Sequence, residues 1–222
     1  MEEVKDPYYA RPEVSNSDLS WLKKYWQPEN LIIDLEKAYA FGTLIDCMIT
    51  EPHKVNYFNL TCAGVQYTAA DFKLAEDMKK AFYRDELCAT LAKHSEYQKV
   101  SVRESFPIEH DGISFSMDVR CKWDLFAMPK LNMSADIKST ACTTQKQFEE
   151  AVRYFDYDRQ RAWYMDIENV NHDMLIGISK VNCKVFKVPV TRQSELYKEG
   201  KKKYQELAFK YWYLFGEMEE AA

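Results

Sequence analysis

The chain has 222 residues, 46% hydrophobic and 14% aromatic, with only 6 glycines and 7 prolines. This supports one well-packed domain and excludes a disordered or fibrous chain. Its formal net charge of −5 counts mildly against a nucleic-acid binder, since phosphate contacts usually need a basic surface, so any such contact would depend on a local patch.

Residues 1–14, with Pro7 and Pro12, read as an extended arm. Ser15-Asn16-Ser17-Asp18 offers N-caps for a short helix carrying Leu19, Trp21, Leu22 and Trp26, which Pro28-Glu29-Asn30 breaks. A longer helix is expected over 31–50, stopping before Pro52, and 53–67 forms a connection with some strand character. Thr68 then caps a charged helix with apolar positions at Phe72, Leu74, Met78, Phe82, Leu87 and Leu91. Beyond His94 the period changes to two. Val100, Val102 and Phe106 alternate up to His110-Asp111-Gly112, and Ile113, Phe115, Met117 and Val119 alternate after it, which predicts a hairpin. Further strands are expected at 121–126 and 131–137, separated by Met128-Pro129-Lys130. Helices follow at 145–155 and 157–169, strands at 174–180 and 183–190, and a last helix from Ser194.

This order predicts a single α/β domain over 1–222, with a central mixed sheet flanked by helices on both faces. Its parts are a mostly helical stretch (1–94), a core sheet (95–190) and a C-terminal helix (191–222). The apolar runs fall short of a membrane span, and Met1-Glu2-Glu3-Val4-Lys5-Asp6 lacks the apolar core of a signal peptide, so a cytoplasmic location is expected. None of the six cysteines forms a C-x-x-C pair, so reduced thiols packed as small hydrophobes are expected.

The residues with most chemical promise are Asp124, inside Lys122-Trp123-Asp124-Leu125-Phe126, and Asp136 and Lys138, inside Ala135-Asp136-Ile137-Lys138. On a strand Asp136 and Lys138 point to one face. Carboxylates on two adjacent strands can converge on a hard cation such as Mg²⁺, which takes oxygen ligands and keeps several waters. The main-chain carbonyl of Ile137 could add another oxygen. Lys138 would then stand beside the metal-bound water. Taken alone, D-x-K is a frequent chance pattern.

Asp46 is a second anomaly, an acid in the mostly apolar run Ala38-Tyr39-Ala40-Phe41-Gly42-Thr43-Leu44-Ile45-Asp46-Cys47-Met48-Ile49. A buried carboxylate is costly unless paired or metal-bound, although an exposed stripe or a buried lysine would also explain it. Gln160 and Tyr164 are i and i+4 on a predicted helix and share a face. Arg153, Arg159, Arg161, Lys122 and Lys130 could supply a local positive patch.

Asp124, then Asp136-x-Lys138, then Gln160-x-x-x-Tyr164 resembles the RecB-type branch of the PD-(D/E)xK nucleases. Tyr8-Tyr9-Ala10, Ser15-Asn16-Ser17-Asp18-Leu19, Phe41-Gly42-Thr43, Glu51-Pro52 and the helix around Tyr204 and Tyr211 are similar to phage-type RecE (exonuclease VIII-like) catalytic domains. The resemblance implies a restriction-endonuclease-like core and hydrolysis of linear double-stranded DNA from an end, usually 5′ to 3′. It implies one or two Mg²⁺ ions, with Mn²⁺ as the alternative, held by Asp46, Asp124, Asp136 and Ile137. Asp124, Asp136 and Lys138 would be catalytic, with Gln160, Tyr164 and Arg161 contacting DNA or supporting the site. A ring-shaped homo-oligomer and a single-strand annealing partner are implied as well, and no membrane. One departure concerns Asp46, which stands where such domains usually carry histidine. An endonuclease or flap nuclease with the same centre, or a non-catalytic DNA-binding subunit, are the alternatives.

Overall fold

The computed structural model describes residues 7–26 and 35–216. The chain enters through a 3-10 turn at Pro7–Ala10, so this part of the arm is not extended, and Val14 then lies alongside Val119. The helix α1 (Asn16–Trp26) starts where Asp18 accepts the Ser15 N–H at 2.8 Å, satisfying an orphan donor of the first turn. The helix expected from Leu31 is described as α2 (Leu35–Thr50); its predicted start, and the break at Pro28-Glu29-Asn30, lie outside the described residues.

The connection is a small antiparallel sheet of β1 (Val55–Asn56), β2 (Thr61–Cys62) and β3 (Val65–Gln66). Thr68 caps α3 (Ala69–Arg84) through a reciprocal capping box with Asp71. The charged helix is broken at Asp85, which accepts the Cys88 N–H at 3.1 Å and so starts α4 (Glu86–His94). Leu87 and Leu91 thus belong to a second helix.

β4 (Glu96–His110) and β5 (Ile113–Phe126) form the expected hairpin around Asp111-Gly112, both at positive φ. The strand expected at 121–126 is the continuation of β5, because β4 pairs with it along its full length. Leu131 is not in a strand. It ends the short helix α5 (Met128–Leu131), and Asn132, at φ 50°, turns the chain into β6 (Ser134–Thr140). α6 (Gln145–Tyr154) and α7 (Tyr157–Ile167) follow, separated by a left-handed Asp156. β7 (His172–Ser179), β8 (Val185–Thr191) and α8 (Glu195–Phe215), capped by Ser194, complete the fold.

The large sheet has the order β4-β5-β6-β7-β8, with β6 and β7 parallel and the other neighbours antiparallel. Both faces are covered, as expected for a buried parallel pair. One core, around Trp123, Phe148, Trp163 and Leu175, gathers α1, α6, α7 and α8; the other, around Leu44, Met48, Phe82 and Ile176, gathers α2, α3 and α4. All six cysteines are free, four of them buried. α7 and α8 touch backbone to backbone at Gly200, where a Cβ would lie 2.2 Å from the carbonyl oxygen of Asp158. Among the described residues no helix is long and apolar enough to cross a membrane.

Candidate active site

β5 and β6 are paired at Leu125–Ala135 and Phe126–Ser134, and beyond these pairs the ladder opens. In the opening the Asp124 carboxylate replaces the neighbouring backbone, accepting the Ile137 N–H at 2.8 Å. In an extended strand the N–H and C=O of one residue face the same edge, so the Ile137 carbonyl faces this opening too. The strand also turns over here. Trp123 belongs to one core and Leu125 to the other, although residues two apart normally share a face.

Asp136 is 2% exposed and forms two ion pairs, Oδ2 to Lys138 Nζ at 2.7 Å and Oδ1 to Arg161 Nη1 at 2.9 Å. Asp46, half-buried on α2, accepts from Thr50 Oγ1 at 3.2 Å on Oδ1 and from Gln98 Nε2 at 3.0 Å on Oδ2. The three acids therefore approach one centre from α2, β5 and β6.

Electrostatics tie them together. Burial, reinforced by Asp46 and Asp136, holds the Asp124 carboxyl well above the usual carboxylate range. Asp46 is pushed up to about 7, by burial first, with Cys47, Asp136 and Glu51 adding to it against the Thr50 hydrogen bond. Burial would lower Lys138, but Asp136 and Asp124 outweigh it and keep the ammonium protonated above its ordinary value. Carboxylates that raise one another in this way are short of compensating positive charge.

The donor set fits a hard divalent cation. Asp136 Oδ2 is buried and accepts no aligned hydrogen bond, and carboxylate and main-chain oxygens are the ligands such ions take. Among the described residues no three His, Cys, Asp or Glu side chains form a ready-made metal cage.

Arg161 does not belong to a surface patch. It is fully buried, stacked over Tyr164 (4.3 Å to the ring centre), and joins Asp136 to Asp173, whose Oδ2 lies 3.2 Å from Arg161 Nε. Arg159 is buried as well, bonded to Asn16 and Ser20. Gln160 lies 3.5 Å from the Tyr164 hydroxyl, as their spacing predicts, but Tyr164 packs inward against Trp123. The aromatic ring that meets Lys138 belongs to Tyr157, 5.0 Å away. Gln98, Tyr157 and Asp173 were not singled out from the sequence. Tyr157, three residues before Gln160, carried a usable signal, since i and i+3 share a helix face.

Two solved structures overlap loosely with this chain. A phage-related exonuclease from Haemophilus somnus 129PT shares 14% identity at a TM-score of 0.40, covering 87% of this chain and 92% of its own. The protein SSO0001 shares 8% identity at a TM-score of 0.37, covering 86% and 83%. Among curated proteins no sequence relative reaches a significant match. The PDDEXK-like domain of unknown function (DUF3799) matches residues 15–212, a span that holds Asp46, Asp124, Asp136 and Lys138 and every buried residue of both cores except Val14. The chain therefore belongs to this PDDEXK-like family.

Proposed function

We propose that the protein is a divalent-metal-dependent nuclease that hydrolyses phosphodiester bonds of linear double-stranded DNA from an end. The observation that carries this reading is the Asp124 carboxylate in the open β5–β6 ladder, flanked by the Asp136–Lys138 pair on one side and Asp46 on the other. PDDEXK nucleases generally work with divalent ions, and a bound Mg²⁺ supplies a water of lowered pKa and a counter-charge for the phosphate.

The chain's own residues supply the rest. Asp46, Asp124, Asp136 and the Ile137 carbonyl would hold the ion. Lys138, kept protonated by Asp136 and Asp124, places a positive charge where negative charge grows on the phosphate oxygens. Arg161 and Asp173 fix Asp136 from behind. Digestion from 5′ to 3′, a ring of identical subunits around DNA and a single-strand annealing partner are the finer parts of the proposal, and they come from the RecE-like resemblance.

The test incubates the protein and a Lys138→Ala variant with Mg²⁺ and matched linear and closed circular duplexes. Loss of linear DNA alone, slowed at least ~100-fold in the variant, is expected. Cutting of circles would replace the end-dependent reading by an endonuclease. Binding without cleavage of either would leave a non-catalytic DNA-binding subunit.

A further inference from the structure

Gln98, on β4, combines three features. Its backbone is left-handed, at φ 53°, an uncommon state for a side-chain-bearing residue. It falls between the pairs Tyr97–Leu125 and Lys99–Trp123, so it lies opposite Asp124, where β5 turns over. Its amide nitrogen donates to Asp46 Oδ2 at 3.0 Å and to Thr50 Oγ1 at 2.9 Å.

These bonds link Gln98, Thr50 and Asp46 in one network. A side-chain amide has two N–H donors, and both are used. The Thr50 hydroxyl accepts one of them and turns its own proton toward Asp46, either the main-chain oxygen at 3.0 Å or Oδ1 at 3.2 Å. Asp46 Oδ2 is thus held by a neutral donor, and Oδ1 as well when the Thr50 proton turns to it, in contrast to Asp136, held by two cations. Neutral donors fix the direction of a carboxylate without cancelling its charge, leaving the charge for a ligand. Backbone strain of this kind persists where the surroundings demand it, and it collects at functional sites.

We propose that Gln98 is a positioning residue that aims the Asp46 carboxylate at a divalent cation in the centre it shares with Asp124 and Asp136. The inference rests on the metal-dependent reading given above. Gln98 would act on the ion through Asp46, and its left-handed backbone carries its amide to Asp46 and Thr50 of α2 from the strand opposite Asp124.

Gln98→Gly separates this role from a structural one. Glycine adopts the left-handed region without a steric penalty, so the variant relieves the strain and removes the amide. The full chain is titrated with MnCl₂ by calorimetry, its metal-free melting temperature is measured, and the Mg²⁺ dependence of duplex cleavage is followed. For Gln98→Gly the expected result is a metal-free melting temperature within about 5 °C of the parent's, because relief of the strain offsets part of glycine's entropic cost. Mn²⁺ affinity should be at least ~10-fold weaker, the usual cost of losing a group that orients a ligand. The half-saturating Mg²⁺ concentration should rise by a similar factor, with little change in the rate at saturation. Unchanged Mn²⁺ affinity in the variant overturns the proposal, and so does a fall in melting temperature of more than about 10 °C together with affinity, which would make Gln98 a fold residue. Failure of the parent chain to bind Mn²⁺ at all would remove the metal-dependent reading itself, a result distinct from both.

Discussion

Arg161 shows how much of this site is decided by single buried charges. Burial alone would lower its guanidinium, but Asp173 and Asp136 more than offset that and raise it further. Removing the cation leaves two carboxylates inside the protein with less compensation, which typically costs about 3–5 kcal/mol. Arg161→Met is therefore expected to lose stability on that scale in urea unfolding, and adding Asp173→Asn should recover part of it, since the two sites are coupled. A loss under about 1 kcal/mol would mean that the buried pairs contribute little. At this scale the sequence was informative wherever an acid broke an apolar run, as at Asp46, or stood at strand spacing from a lysine, as at Asp136. It was silent on Gln98, which meets Asp46 across 52 positions of the chain. Asp173 was equally hidden, since its meaning depends on β7 lying parallel to β6.

Among the elements, two carboxylates of α7 fasten α8: Asp158, paired with Lys203 at 2.9 Å, and Asp166. Asp166, on α7, accepts from the Tyr197 hydroxyl at 2.6 Å and from the Tyr204 hydroxyl, and pairs with Arg192 at 2.6 Å. Burial pushes its carboxyl up, but these hydrogen bonds, with Lys201 and Arg192, bring it below the ordinary carboxylate range. A group with a depressed folded pKa contributes stability that is present above the unfolded value, about 3.9. That stability is lost as the pH falls through the folded value. The prediction is an acid-sensitive melting temperature below about pH 4 whose slope is shallower in Asp166→Asn, followed by circular dichroism. Equal slopes in the two proteins would show that Asp166 does not carry the acid limb.

The hairpin and the capped helices were legible because alternation, Asp111-Gly112, Thr68 and Ser194 are local signals. Two element boundaries were not. Asp85 splits a continuous helical pattern by capping its second half, and β5 runs unbroken through Lys122 because β4 pairs with it. In both cases a tertiary or capping contact outweighs the local pattern.

At the scale of the molecule, the site is a product of both cores. Asp46 comes from α2 in one, and Arg161, which backs Asp136, comes from α7 under the other, with the sheet between them. Neither half alone contains a complete set of the proposed ligands. The position of α7 is itself set from the far side by Gly200, where a methyl group has no room against Asp158 and Arg159. Gly200→Ala must push α8 away from the turn that leads directly to Arg161. It should lower both the melting temperature and the cleavage rate, and a loss confined to stability would show that the rear of α7 moves independently of Asp136. Gly200 thus acts as a calibrated gap. The seat of the helix that carries Arg161 is shaped by an atom missing from its neighbour, so a loss of cleavage in Gly200→Ala would mean that α8 can tune the proposed site without any change in the residues that form it.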